Sequence, residues 1–429
     1  MKIKNSILAL LITSAVLLSG CSINLSGADL IHPPKTTGNE AEIQKLIEDN
    51  AESDYTLKYP QNGDFRSAVI TEDLNYDEND EAIAFYNTVD GENSFTHMLV
   101  MNNQEGVWQV SFDYQTEYSD VDCVQFTDYD SDGILEILVG FVTYSANVNE
   151  LAVFDYDAER NTGHLVESGK KYTSFSTGDY DGDNANEIML LTLSTPETKA
   201  LATLIDYEDN SLYPLTSCNL NPNVTKFEKV QTALVAEGIY AVIVDGFLSD
   251  SYNTQVIAYD TSKLILKNLN ANNENSRFVK SVDFDGDSLT EIPVLYSSPV
   301  DKTTDVATAS PMILWYGFDK DKFILTPKTR CIINFEYDFY FEVPQDIVNS
   351  TMAVVSKDNK TINIYKLKSK NSKLALSFRV VDENDDDKVA KYSVIKSNSK
   401  YDYTYMLVDE NFISDEVVNK NFALYEESV

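Results

Sequence analysis

Short apolar runs punctuate the chain, and four of them open directly after a glutamate: Ala82 to Tyr86, Ile137 to Phe141, Ile188 to Leu191 and Ile292 to Leu295. Each is too short for a helix, rich in strand formers and without helical spacing, which predicts β-strands. Another strand precedes each, as in Val124 to Phe126 and Ser281-Val282. Three strands are expected over Ile137 to Tyr144, Glu150 to Asp155 and Thr162 to Val166, and three more over Ile188 to Leu193, Ala200 to Tyr207 and Leu212 to Ser217. Toward the C-terminus, Tyr337 to Pro344, Thr361 to Leu367, Leu374 to Val380 and Tyr401 to Val408 also have strand character. Helical spacing occurs twice. Ile43, Leu46 and Ile47 predict a short helix between Glu40 and Ala51, and Ser414 N-caps a second that runs to Phe422 with Asp415 and Glu416 in its first turn.

Between the paired strands lies a nine-residue acidic pattern that occurs four times. Its ligand-type positions 1, 3, 5 and 9 are Asp73, Asn75, Asp77 and Glu81; Asp128, Asp130, Asp132 and Glu136; Asp179, Asp181, Asp183 and Glu187; and Asp283, Asp285, Asp287 and Glu291. The starts are 55, 51 and 104 residues apart, the last being twice 52. At this acid content, four specified acidic positions would coincide by chance in roughly 0.3 windows of the whole sequence, without a fixed period. A degenerate copy is expected near residue 231, where Lys229 to Gly238 precedes the apolar run Ile239 to Val244.

Carboxylates at alternating positions of a curled loop converge on one point and suit a hard cation such as Ca²⁺. A twelve-residue helix-flanked loop is excluded because position 12 is Ala84, Val139, Leu190 or Val294, all apolar. Position 9 is the closing acid, with a backbone carbonyl expected from position 7. The competing explanation is that Asp, Asn and Gly merely favour turns. Four loops in register, whose carboxylates repel one another unless a cation compensates, favour the ion.

The Asp-x-Asp-x-Asp-Gly-x-x-acid loop between two strands resembles the FG-GAP or VCBS-type calcium loop of integrin-α-like β-propellers. The resemblance covers about residues 65–325 and is specific at the loops. It implies a mainly β chain: a propeller of about five to seven four-stranded blades with up to four structural Ca²⁺ sites. The first copy departs from the pattern at Asn75 and Glu78.

The start of the chain has Lys2 and Lys4, an apolar run from Ile7 to Leu18, then Leu18-Ser-Gly-Cys21. The run is too short to span a bilayer and has signal-peptide proportions. It resembles a bacterial lipoprotein signal, which implies cleavage before Cys21 and acylation of that residue; an ordinary secretory signal would also export the chain. The expected organisation is a signal at 1–20, a tether and short helix at 21–54, propeller repeats at 55–330 and a small α+β domain, or degenerate final blades, at 331–429.

Charge then narrows the function. Thirty-three basic residues stand against 69 acidic ones, a net charge of −36. Nucleic acid is excluded as a partner because no basic stripe exists. Three widely spaced cysteines beyond Cys21 (Cys123, Cys218, Cys331) suggest buried thiols with at most one bridge, and three scattered histidines argue against a zinc site. No nucleophile elbow, zinc-protease motif or phosphate-binding glycine loop occurs. The expectation is a non-enzymatic, lipid-anchored binding or scaffold protein facing outward from the cell membrane, with a protein or glycan partner at the cell envelope. The alternatives are a carboxylate-dependent enzyme acting on glycans or peptides, and a purely structural envelope component.

Overall fold

The computed structural model describes residues 39–51, 54–90, 93–208, 211–270, 275–299, 308–367, 372–382 and 391–425. The expected signal at 1–20, Cys21 and the tether that follows lie outside these residues. No helix of the described residues is long and apolar enough to cross a membrane.

The chain is mainly β, arranged as six antiparallel sheets. Four strands that pair in chain order build the second sheet (Asp120–Thr127, Glu136–Val142, Asn149–Asp157, Thr162–Tyr172), and the third (Ser174–Gly178, Glu187–Thr192, Leu201–Glu208, Ser211–Asn219) and fourth follow the same plan. The first sheet splits its leading strand into Tyr55–Lys58 and Val69–Glu72, both paired to Glu81–Asp90. In the fourth sheet, Lys226–Ala236 and Ile239–Phe247 occupy the place of the degenerate copy.

Consecutive sheets pack face to face. Ile83 and Phe85 of the first meet Ile137 and Val139 of the second, while Leu138, on the opposite face of the same strand, meets Ile188 of the third. Further apolar layers join third to fourth, fourth to fifth and fifth to sixth. The second strand of the second, third and fourth sheets is thereby buried on both faces, which is why its sequence is continuously apolar and does not alternate. Fourth strands such as Thr162–Tyr172 are largely exposed.

Helix α1 (Asn39–Ala51) covers the remaining face of the first sheet, seating Ile43, Ile47 and Ala51 against Ala84, Tyr86, Leu99 and Trp108. At the other end, Ile324–Asn334 crosses the boundary expected at 330/331, and Phe422–Leu424 returns to pair with Phe339–Glu342 as the outermost strand of the fifth sheet. One apolar core then runs from Ile332 and Phe341 of the fifth sheet to Ile364, Leu376 and Phe378 of the sixth. Helix α2 (Asp415–Asn421) packs Val418 into that core, and its Ser414 cap accepts the Val417 N–H at 3.3 Å.

Truncation of Ile47, 2% exposed, tests how firmly α1 seals the first sheet. Ile47→Ala is expected to cost about 2–5 kcal/mol in urea unfolding. A loss below about 0.5 kcal/mol would mean that the helix does not hold the sheet.

Candidate metal centres

All four acidic loops are set in one strand register. The residue before position 1 pairs with the closing glutamate in each: Glu72 with Glu81, Thr127 with Glu136, Gly178 with Glu187 and Val282 with Glu291. Each loop then turns with left-handed backbone at positions 4 and 6. These are Tyr76 and Glu78, Ser131 and Gly133, Gly182 and Asn184, and Gly286 and Ser288. The single glycine of a copy falls on either position, so its drift in the sequence conceals one conserved conformation. The first loop has no glycine and places Tyr76 and Glu78 at φ of 54° and 70°.

Side chains hold this shape by accepting loop amides. The position 1 carboxylate takes N–H groups further along the loop, as Asp283 does from Gly286 at 2.8 Å and Ser288 at 2.9 Å. The position 5 carboxylate takes the position 7 amide at 2.8–2.9 Å in every copy. The glutamate closes the loop from below. One of its oxygens accepts the position 2 N–H: Leu74 at 3.0 Å, Tyr129 at 2.9 Å, Tyr180 at 2.7 Å and Phe284 at 2.8 Å.

These glutamates are at most 2% exposed. Burial, with the loop aspartates adding repulsion and the position 2 N–H opposing, pushes Glu81 up to about 7, Glu136 to about 9 and Glu187 to about 8. The second oxygen of Glu136 and of Glu187 is buried with no hydrogen-bond partner, and so is one oxygen of Asp128. An orphaned buried carboxylate oxygen beside further carboxylates is costly, since like charges about 4 Å apart repel by on the order of 4 kcal/mol at an effective dielectric near 20.

Positions 1, 3 and 9 bring oxygens within 4.8 Å of one another in three loops: Asp128, Asp130 and Glu136; Asp179, Asp181 and Glu187; Asp283, Asp285 and Glu291. The orphaned oxygens and the all-oxygen donor set fit a hard divalent cation in the second and third sheets. Position 5, expected as a ligand at Asp132, Asp183 and Asp287, stands outside these groups and gives one oxygen to the loop's own amide. In the first loop, Asn75 turns its oxygen to the Asp77 N–H at 3.0 Å.

The sequence pattern missed residues that the sheet brings to the loops. Continuing the pairing of the second and third strands by one residue brings Asn102, Asp155, Asp206 and Gly317 opposite the closing glutamates. Asp155 and Asp206 add charge that raises the neighbouring Asp130 and Asp181 further, after burial and the adjacent loop aspartates. In the fifth sheet the corresponding charge is positive: Lys328 Nζ lies 2.9 Å from Asp285, 2.7 Å from Asp287 and 2.8 Å from Glu291. Only strand register could have exposed these partners, because they lie 19 to 37 residues from the glutamates they face.

A hydroxyl–imidazole–carboxylate line also forms from residues scattered in sequence. Thr88 Oγ1 is 2.9 Å from His97 Nε2, and His97 Nδ1 is 3.0 Å from Asp113. Thr88 lies within a strand paired on both sides, to Tyr55 and Phe95, and Tyr86 stacks on the imidazole at 4.6 Å. The line thus stitches three strands of the first sheet. Cys123, Cys218 and Cys331 are free thiols, two buried and Cys218 half-buried.

Two measurements test the loops. The folded protein holds the raised glutamate protons more tightly than an unfolded chain, whose glutamates titrate near 4.5. Stability without metal must therefore fall as pH climbs from about 4.5 toward 9. In EDTA, the melting temperature should drop between about pH 5 and pH 9, and Glu136→Gln should lessen the drop; a flat profile would refute the buried-charge account. In the first loop, Glu78→Gly relieves the left-handed strain and should add about 0.5–1 kcal/mol of stability in denaturant unfolding, whereas a loss would show that the Glu78 side chain is needed.

No protein-family profile matches the chain, and no curated protein matches it by sequence. Among solved structures, one from Bacteroides uniformis ATCC 8492, a candidate 6-phosphogluconolactonase, aligns over 71% of this chain and 82% of its own, at 11% identity and a TM-score of 0.29. That likeness is too slight to transfer either fold detail or activity.

Proposed function

We propose that the chain is an exported, lipid-anchored binding or scaffold protein. In this reading its sheets are blades of the FG-GAP or VCBS calcium-loop type, stiffened by structural Ca²⁺ at the second and third loops and, more weakly, the first. The observation that carries the metal assignment is the pair of buried, unpartnered oxygens on Glu136 and Glu187, each within an acidic cluster. Bound calcium would neutralise those oxygens, so its binding free energy would add to folding. Asp128, Asp130, Asp179 and Asp181 would share the ion with the glutamates. The reading rests on the blades and not on ring closure, because α1 already fills the face of the first sheet that a closing sheet would need.

The partner-binding half of the reading is supported by a cleft at the opposite end of the sheets. Turns between first and second strands carry the acids, whereas the cleft is formed by the chain entering the second sheet and by turns between second and third strands. Its volume is about 1110 Å³, and it is lined by Phe95, Tyr114, Tyr118, Tyr144, Glu150 and Lys171 among others. Tyr144 is 95% exposed. Aromatic faces beside carboxylates and a lysine suit a glycan or a polar protein surface at the cell envelope.

Calcium should raise the melting temperature of the purified protein and EDTA lower it, with the shift blunted in Asp130→Ala/Asp181→Ala. An unchanged melting curve would leave the acids as turn formers only. Retention on cell-envelope fractions should weaken in Tyr144→Ala. Turnover of glycans or peptides by the wild type would instead favour a carboxylate-dependent enzyme, and no saturable retention would favour a structural component.

A further inference from the structure

We infer that the acidic loop of the fifth sheet carries its own cation, the Lys328 ammonium, in the place that a divalent ion takes in the second and third sheets, and that Gly317 is what admits it. For the comparison with those two sheets the inference rests on the calcium reading; for the fifth loop it stands on contacts of its own. An ammonium has three N–H donors. Lys328 directs them to three carboxylates, Asp285 at 2.9 Å, Asp287 at 2.7 Å and Glu291 at 2.8 Å. The oxygen that receives it on Glu291 is Oε1, and Oε1 is the atom left without a partner on Glu136 and Glu187. One lysine thus satisfies the oxygen that the other two loops leave open.

The sheets explain why only this loop is closed from within. Each of the four sheets with an acidic loop has a bulge at the same point of the pairing between the strand that faces the closing glutamate and the strand after it, where one residue is left without a partner. The extra residue is Ser111, Val166, Leu215 or Lys328. Only the last can supply charge. To reach the loop it must cross the third strand at the position held by Asn102, Asp155 or Asp206 in the other sheets. There the fifth sheet has Gly317, and a Cβ at that site would already lie 3.4 Å from Lys328 Cδ. A longer side chain would block the path, and an aspartate there would capture the ammonium before it reached the loop. Gly317 and Lys328 therefore act as a pair, and together they convert a cage for a metal into an internal salt-bridge cluster. A divalent ion could enter only by displacing an ammonium bound to three carboxylates.

The test counts calcium bound per full-length chain by equilibrium dialysis at about 1 mM free Ca²⁺, a level at which weak extracellular sites load. Wild type and Asp285→Asn should bind equal amounts. Lys328→Met should bind one more ion than wild type, and Lys328→Met/Asp285→Asn should lose that extra ion again. If Asp285→Asn binds one ion fewer than wild type, the fifth loop holds metal and the inference falls; this arm leaves the lysine untouched and does not depend on folding of the Lys328 variant. A Lys328→Met protein with wild-type circular dichroism but no added ion also overturns it. Should wild type bind no calcium at all, the reading of the second and third loops fails, whereas an ion gained by Lys328→Met would still confirm the role of the lysine.

Discussion

A carboxylate removed from water at the base of each acidic loop is the constraint on which the rest of this arrangement depends. The closing glutamate must be buried because it starts the strand that runs through the middle of the sheet stack, between two apolar layers. It must also stay at the loop, because one oxygen holds the position 2 amide. The two requirements leave its other oxygen pointing at more carboxylates in a place water does not reach. Burying an unpaired charge is among the most unfavourable things a fold can do. Either a retained proton, as the raised Glu136 and Glu187 indicate, or a cation held among the acids neutralises that charge.

The fold meets that constraint in more than one way. The second and third sheets keep the orphaned oxygen and surround it with acids, including Asp155 and Asp206 from the third strand. The fifth sheet supplies an ammonium by pairing a glycine with a lysine at a bulge. The fourth sheet removes the problem, joining Ala236 to Ile239 through Glu237 and Gly238, with Gly238 at φ 71°. Strand pairing and apolar packing between neighbours persist throughout, so loop chemistry varies on a constant scaffold. Acid collects at one end of the sheets, and the aromatic cleft opens at the other.

The acidic pattern made the loops legible from the sequence because spacing along a tight turn is local. In three of the four loops, positions 1, 3 and 9 converge as the alternation implied, and the strand after each glutamate lies where its apolar run began. Both helices formed close to where their spacing and the Ser414 cap indicated. Position 5 has a local role beside the one expected of it. Its aspartate caps an amide two residues on, a local role that the same residue type serves equally well and that spacing cannot distinguish from metal ligation.

The chain's pattern by itself determined strand-rich modules of about fifty residues, their acidic turns and the burial of their second strands, since each follows from interactions within a few residues or from the polarity of a single run. Only the tertiary structure decided that Ile324–Asn334 belongs with a strand about ninety residues later in the fifth sheet, that α1 covers the first sheet, and that Asp155, Asp206 and Lys328 face the loops. These depend on register between strands, where a shift of one residue reverses the face on which every side chain lies. No count of spacings along a single strand contains that information.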